Sequence, residues 1–424
     1  MKFTLLKGAL GVMLLASATL IGAVVWEMRG AALPTVPTVV EGNSAEVERG
    51  AYLARAGNCM ACHTDRGGQP YAGGRAIDTP FGTVYSSNLT PDASTGLGGW
   101  SALAFRRALH EGRSRDGHLL YPVFPYTHTT LVTDEDSDAL FVYLRSLSPV
   151  AKATPANTLR FPVNTQAALA VWRLLYFEST RFEPQSDKSA EWNRGAYLAQ
   201  GLAHCSACHS ERDALGGSAL SQRWGAGMMP DGHWLAPSLR DAAQASVANW
   251  SAVQVADFLQ HGRTDATSAT TAMGPMAEVV FEGTQHLRRD DLQAMAVFLK
   301  DLPQQKETEP ELKPANPDVM ALGEKLYGQQ CADCHGAAGQ GASGAYPALT
   351  GNRSVVMASH VNAVQAILAG GFAPATAGNP QPYGMPPFRT LMNDAEVAAV
   401  ASFVRQSWGN RANAVSPQEV QRLR

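Results

Sequence analysis

Charge is scarce in this chain and nearly balanced: charged residues make up 17% of the 424, 34 Lys and Arg against 37 Asp and Glu, for a formal net charge of −3. There is no polybasic surface to release counterions from a phosphate backbone, so nucleic-acid binding drops out. Cysteine is scarcer still, six in all, far too few for a disulfide-stapled scaffold. Alternation of apolar and polar residues over four or more positions is rare, which leaves a sheet architecture little support. Nucleophile elbows, dinucleotide fingerprints and phosphate loops are missing from any convincing context, and no catalytic acid–base pair stands out. What is plentiful is apolar side chain (45%), Gly (39) and Pro (25), the composition of a folded, turn-rich chain rather than a disordered one. At roughly 150 residues per domain the length suggests about three domains.

Lys2 and Lys7 precede an uncharged stretch from Gly8 to Trp26. At ~1.5 Å per residue this reaches ~28 Å, close to the thickness of a bilayer core. It reads as a retained membrane anchor or as a cleaved export signal, with Ala16-Ser17-Ala18 the candidate cleavage site; a buried soluble helix is the weaker reading. With both lysines kept in the cytoplasm, everything after Ala31 is expected on the periplasmic side of a bacterial inner membrane. Leu33 to Ser44, with two Pro and no periodicity, reads as a tether.

A segment recurs three times: Arg49-Gly-Ala-Tyr-Leu-Ala-Arg-Ala-Gly-Asn-Cys59-Met-Ala-Cys62-His63, Arg194-Gly-Ala-Tyr-Leu-Ala-Gln-Gly-Leu-Ala-His-Cys205-Ser-Ala-Cys208-His209, and Leu322-Gly-Glu-Lys-Leu-Tyr-Gly-Gln-Gln-Cys331-Ala-Asp-Cys334-His335. Each reads as a short helix running into Cys-x-x-Cys-His. Each unit closes with an apolar helix face headed by an acid: Asp136, Ala139, Leu140, Tyr143 and Leu144; Asp291, Ala294, Met295, Phe298 and Leu299; Asp394, Val397, Val400, Phe403 and Val404. The expected architecture is all-α: an anchor or signal over 1–30, three tandem cytochrome c-like domains over 45–150, 191–302 and 317–410, a connecting segment over 151–190, a linker over 303–316 and a tail over 411–424. Within the connecting segment, Phe161 to Phe177 reads as an apolar helix too short to span a bilayer. It is either buried between domains or a docking face for a partner or membrane surface. The Gly- and Pro-rich stretches Gly67 to Gly99 and Gly336 to Gly351 read as long loops, of the kind that wrap a prosthetic group.

Cys-x-x-Cys-His is the attachment signature of haem c: two thiols form thioethers with the haem vinyls and the adjacent His supplies the proximal nitrogen. The six thioether positions are Cys59, Cys62, Cys205, Cys208, Cys331 and Cys334, the proximal ligands His63, His209 and His335, and the cofactor count three haems c. A zinc site would need a second ligand pair about 15 to 20 residues away, whereas these pairs lie 146 and 126 residues apart. A thioredoxin-like pair would need a βαβ context, and disulfides would leave each His unexplained. For the sixth ligand, Gly384-Met385-Pro386 in the third unit points to Met385 over Met357 and Met392. In the second unit Gly274-Pro275-Met276 points to Met276 over Met273, Met228 and Met229. The first unit has no methionine between Met60 and Met228, and Met60 is pinned between two cysteines. Phe124 stands at the ligand position of Tyr121-Pro-Val-Phe124-Pro-Tyr126. His128 is the candidate distal ligand there, with His110, His118 and an open iron beneath Phe124 as alternatives.

At these residues the chain resembles the triheme cytochrome c subunit of the membrane-bound alcohol, gluconate, sorbitol and aldehyde dehydrogenases of oxidative bacteria, over roughly 48–410. The carrying stretches are Thr79-Pro-Phe-Gly-Thr-Val-Tyr-Ser-Ser-Asn-Leu-Thr-Pro-Asp, Trp192-Asn-Arg-Gly-Ala-Tyr-Leu, His204-Cys-Ser-Ala-Cys-His, Gly274-Pro-Met-Ala-Glu-Val-Val and Val404-Arg-Gln-Ser-Trp-Gly-Asn410. The resemblance implies a subunit that is not an enzyme on its own. It would take electrons from a periplasmic dehydrogenase catalytic subunit of flavin, PQQ or molybdenum type and pass them to ubiquinone in the inner membrane. The departure is Phe124, where many relatives carry Met; the Phe form with a nearby His looks like the cytochromes beside molybdenum hydroxylase-type dehydrogenases. The competing readings are a peroxidase-like multihaem enzyme with an open first haem, and the cytochrome c subunit of a terminal oxidase.

Overall fold

The computed structural model describes residues 2–33, 42–218, 223–244, 247–264, 270–305 and 311–424, with side chains from residue 12 onward. Most of the expected tether, 34–41, and part of the expected linker, 306–310, lie outside the described residues. By contact the chain divides into two compact units. One comprises the chain up to Ala51 with Cys62–Phe182 and Ala214–Gly217; the other comprises Tyr52–Ala61, Glu183–Asp213 and Ser218–Arg424.

An N-terminal helix α1 (Lys2–Met28) comes first. The first repeat then consists of α2 (Ser44–Ala56), an antiparallel hairpin β1 (Ala76–Thr79) and β2 (Gly82–Tyr85), α3 (Ala102–Glu111) and α4 (Asp134–Ser146). After α5 (Gln166–Tyr176) the second repeat runs α6 (Ala190–Tyr197), β3 (Gly227–Met228), β4 (Leu235–Ala236), α7 (Ala252–His261), α8 (Pro275–Glu282) and α9 (Arg289–Lys300). The third has α10 (Pro317–Gln330), α11 (Val361–Ala369), β5 (Gly371–Phe372), β6 (Gly384–Met385) and α12 (Asp394–Gln406). The fold is thus helical, but the Gly67 to Gly99 stretch is not all loop. It holds the β1–β2 hairpin, whose strands of four residues are too short to leave an alternation signal in the sequence.

Helix starts follow local chemistry. The side chains of Ser101, Thr133, Ser189, Ser251, Asn316 and Asn393 accept from the orphan N–H groups of the helices they precede, each cap worth ~1 kcal/mol. Gly112 and Gly262, both left-handed, end α3 and α7. The second repeat carries one residue more between its Arg and first Cys than the first repeat does. A π-helical turn, Leu198–Leu202, takes up the extra residue before Cys205.

In every repeat the opening and closing helices meet at a glycine. A Cβ added to Gly50 would lie 1.9 Å from the Ala139 carbonyl oxygen, to Gly195 1.9 Å from that of Ala294, and to Gly323 2.3 Å from that of Ala399. Only a residue without a side chain allows backbones so close. This contact also corrects the register expected for the third repeat. Ala399 stands where Ala139 and Ala294 stand, so Glu396, the capping-box residue of α12, and not Asp394, matches Asp136 and Asp291. Arg49 Nε donates to Asp136 at 2.8 Å, and Arg194 grips Asp291 through Nε and Nη2 at 2.7 and 2.9 Å. Leu322 replaces the arginine in the third repeat, and Asp394 is taken by Arg424 at 2.6 Å.

The apolar connecting helix is buried on one face only. Leu169, Ala170 and Arg173 point inward and Val171, Leu174 and Leu175 are exposed, so burial between domains does not account for it. Leu119, Leu169 and Ala170 form a small core with Val24 of α1, and Arg173 Nε donates to Glu27 at 2.5 Å. Among the described residues no helix is long and apolar enough to cross a membrane.

Two outcomes follow from the helix crossing. Gly323→Ala should destabilise by ~1–3 kcal/mol through overpacking, while Gly328→Ala on the same helix, with nothing within 4 Å, should be neutral or stabilising by up to ~1 kcal/mol; equal melting temperatures for the two variants would contradict the crossing. Burial alone would raise the Asp291 carboxyl, but hydrogen bonds from Arg194 and Tyr52 outweigh it and hold it down at about 2. Because the folded value lies below the unfolded one, its contribution is complete above about pH 4 and is lost as pH falls toward 2. Acid unfolding of Asp291→Asn should therefore lack this component relative to the parent.

Candidate functional site

The three Cys-x-x-Cys-His histidines share one kind of second partner. His63 Nδ1 donates to the Ser87 carbonyl at 2.7 Å, His209 Nδ1 to Pro237 at 2.7 Å, and His335 Nδ1 to Pro347 at 3.0 Å. A carbonyl can only accept, so each Nδ1 carries the proton and each Nε2 keeps a lone pair for a metal. Burial lowers the pKa of all three, against a smaller opposing effect of the carbonyl, so the imidazoles are neutral and ready to ligate. In the first two repeats the residue ahead of the first Cys, Asn58 or His204, is left-handed, with φ of 49° and 36°. That turn breaks the helix and swings the Cys-x-x-Cys segment out of its axis.

Within the second unit a single cavity of about 710 Å³ is lined by Cys205, Cys208, His209 and Met276 together with Cys331, Cys334, His335 and Met385. Both motifs and both predicted methionines open into the same chamber. Burial, with Cys208 adding to it, pushes the Cys205 thiol up to about 12, and burial with Cys334 pushes Cys331 to about 11. Such thiols are poor thiolate donors to a bare cation. Among the described residues no three His, Cys, Asp or Glu side chains converge as a metal-ion site. The donor set therefore fits an organic group with its own iron: an apolar chamber, paired thiols, a neutral imidazole on one side and a thioether among its walls.

Backbone geometry places the methionines. Met276 sits in the first turn of α8 behind Pro275 and the positive-φ Gly274. Met385 pairs with Gly371 across β5–β6, and a Cβ on Gly370 would lie 2.2 Å from its carbonyl oxygen, so only glycine lets the loop close there. Of the competitors, Met357 and Met392 are buried core residues and Met228 is exposed, whereas Met273 and Met229 also line the cavity.

In the first unit His128 lies within a short helical turn (Tyr126–Thr129), half-buried, its Nδ1 3.0 Å from Thr127 Oγ1. His118 is exposed and paired to Asp116 at 2.5 Å. His110 is 1% exposed, with Nδ1 3.6 Å from Asp134 and a buried Nε2 that makes no hydrogen bond. The Phe124 ring lies 6.5 Å from that of Tyr126.

One set of residues escaped the sequence reading. After the aromatic–aliphatic pair of each closing helix stands a cation that holds backbone carbonyls ahead of the middle helix. Arg145 takes Leu97 and Gly98 at 3.0 and 2.6 Å; Lys300 takes Val247, Ala248 and Trp250; Arg405 takes Val355 and Met357 at 2.7 and 3.1 Å. The repeat Tyr-Leu-Arg, Phe-Leu-Lys, Phe-Val-Arg was the available signal.

Comparison with known proteins agrees with this chemistry. The cytochrome c family matches residues 47–148 and 320–408. The chain is 40% identical over 379 residues to one of the subunits of nicotinate dehydrogenase from Pseudomonas putida, covering 88% of this chain and 31% of that protein; it thus spans about a third of that relative's length. It is 35% identical to the gluconate 2-dehydrogenase cytochrome c subunit of Pantoea cypripedii, over 91% of this chain and 90% of the relative. Identity is also 35% to the cytochrome c subunit of the quinone alcohol dehydrogenase of Gluconobacter oxydans, over 91% and 83% of the two chains.

Proposed function

The chain belongs to the family of cytochrome c subunits of bacterial dehydrogenases, an electron-transfer subunit rather than a catalytic one, and from that premise we propose that it carries three haems c and passes electrons from a periplasmic dehydrogenase subunit to ubiquinone at the inner membrane. The observation that carries this reading is the threefold Nδ1–carbonyl bond, which presents His63, His209 and His335 as proximal ligands beside three cysteine pairs. Bound haem supplies a one-electron iron couple whose potential depends on the axial ligands and their surroundings. Cys59 and Cys62, Cys205 and Cys208, and Cys331 and Cys334 hold the porphyrins. Met276 and Met385, which line one chamber with the second and third motifs, would supply the thioether donors to those two groups, and the shared chamber would let them exchange electrons directly. His128 would supply the second nitrogen donor to the first; the bare, buried Nε2 of His110 is the observation that favours a second candidate.

We place the three cytochrome c domains at 45–150, 191–302 and 317–410. The helix α1 is the anchor in this reading, supported by its exposed Leu14, Leu15, Leu20, Ile21 and Trp26. The catalytic partner is a dehydrogenase of flavin, PQQ or molybdenum type, and Phe124 at the first haem favours the molybdenum class.

The mass of the mature protein should exceed that of the polypeptide by three haems, and each Cys→Ala pair should remove one; a polypeptide-only mass ends the proposal. Met276→Leu and Met385→Leu should each abolish one thioether–iron absorption band while retaining the haem. If the first haem is bis-histidine it should titrate at the lowest potential of the three, and His128→Ala should turn it high-spin. The same change in His110→Ala, with His128→Ala unaffected, would move the ligand to His110.

A further inference from the structure

The cations of the closing helices are not equally buried. Lys300 is half-buried, whereas Arg405 is fully enclosed at 0% exposure. The Arg405 guanidinium donates to the carbonyls of Val355 at 2.7 Å, Met357 at 3.1 Å and Ser359 at 3.3 Å, and its Nε to Asn413 at 3.0 Å. Among the described residues no carboxylate lies within ion-pair distance of it. Glu419, the acid that acts on it through space, is engaged instead by Ser416 at 2.8 Å and faces His360 Nδ1 at 3.7 Å. The charge stands directly behind the chamber wall: Val400, Ala401 and Val404 of the same helix line it, as does Val355, whose carbonyl Arg405 holds.

We propose that Arg405 is a positioning charge that sets the potential of the haem at Cys331 and Cys334 above that of the haem at Cys205 and Cys208; this rests on the haem assignment above. The argument is electrostatic. Oxidation adds one positive charge at the iron, and a fixed cation in a water-poor interior opposes it far more than one screened by solvent. Both sites have the same proposed His and Met ligands, so ligand identity cannot separate them, and the matching Lys300 is partly wetted. Burial lowers the Arg405 pKa to about 10, still far above neutral, so the charge is permanent.

The test is a spectroelectrochemical titration of the full-length holoprotein, with the third haem identified by its loss in Cys331→Ala/Cys334→Ala. The third haem should titrate above the second. Arg405→Gln should shift it downward while the second stays put and the thioether–iron band persists, and Arg405→Lys should stay near the parent. A third haem at or below the second, or one unmoved by Arg405→Gln with its band intact, overturns the proposal. Should Arg405→Gln fail to load haem, the parental order decides. Loss of the underlying assignment would show separately, as a mass short of three haems.

Discussion

The contact on which each repeat depends is the glycine where opening and closing helices cross, at Gly50, Gly195 and Gly323. It brings two backbones within van der Waals reach, which no side chain would permit. From that fixed point the opening helix delivers the Cys-x-x-Cys-His turn, and the closing helix delivers an aromatic ring and then a cation. Phe298 stacks edge-on with Trp192 and Trp224 at 5.3 and 5.5 Å, and Phe403 packs against Tyr327 and Trp408 at 5.5 and 5.2 Å. These rings lock the pair's rotation, so the cysteines and the cavity wall stay in register. The arginine–aspartate clamps of the first two repeats reinforce the crossing but are not required for it, since the third repeat, with Leu322, makes the same crossing without one.

Histidine orientation is solved with backbone rather than side chains. A carbonyl partner for Nδ1 fixes the tautomer without introducing a second titrating group next to the iron, as a carboxylate would. The closing-helix cations use the same device in reverse: they satisfy backbone carbonyls. The interior beside the third site therefore holds oriented dipoles and one buried cation, Arg405, on which Glu419 acts only through space. Such an interior reorganises little when an iron changes charge, which is what an electron carrier needs.

Much of this was legible in the sequence because it is periodic or covalent. The three motifs, the repeat order, the closing helices and the Pro-Met and Met-Pro segments at 275–276 and 385–386 are local strings. Met385 was preferred to Met357 and Met392 on its neighbours alone; in the structure those two are core residues and Met385 lines the cavity. What was not legible depends on contacts distant in sequence. Asp394 and Glu396 are both acids at a helix start, and only the carbonyl opposite Gly323 tells which one is in register with Asp136 and Asp291. The cations at 145, 300 and 405 look like surface helix ends until their carbonyl partners, some fifty residues earlier, are known. The one-sided burial of α5 likewise follows from α1, whose Val24 and Glu27 claim only one of its faces.

The first repeat departs from the other two in a way its own packing explains. Where positive-φ glycines shape the chain near the other two, Gly274 ahead of Pro275-Met276 and Gly370 against the Met385 carbonyl, Phe124 follows Val123, and the next residues form a turn whose Tyr126 is wholly buried against Phe177 and Trp172 at ring distances of 5.1 and 6.2 Å. Arg173 lies over the Phe177 ring at 4.3 Å and ties that cluster to Glu27. The segment that elsewhere presents a thioether is here anchored to α5 and to the end of α1. Under the proposed reading, a distal ligand in this unit would come from a residue that this anchoring leaves in place, and the local sequence offers a nitrogen rather than a sulfur. An imidazole on both faces would stabilise the oxidised iron, so under the proposed His128 ligation the same anchoring that joins α1 to the first repeat would also set this site apart in potential from the proposed pair in the shared chamber.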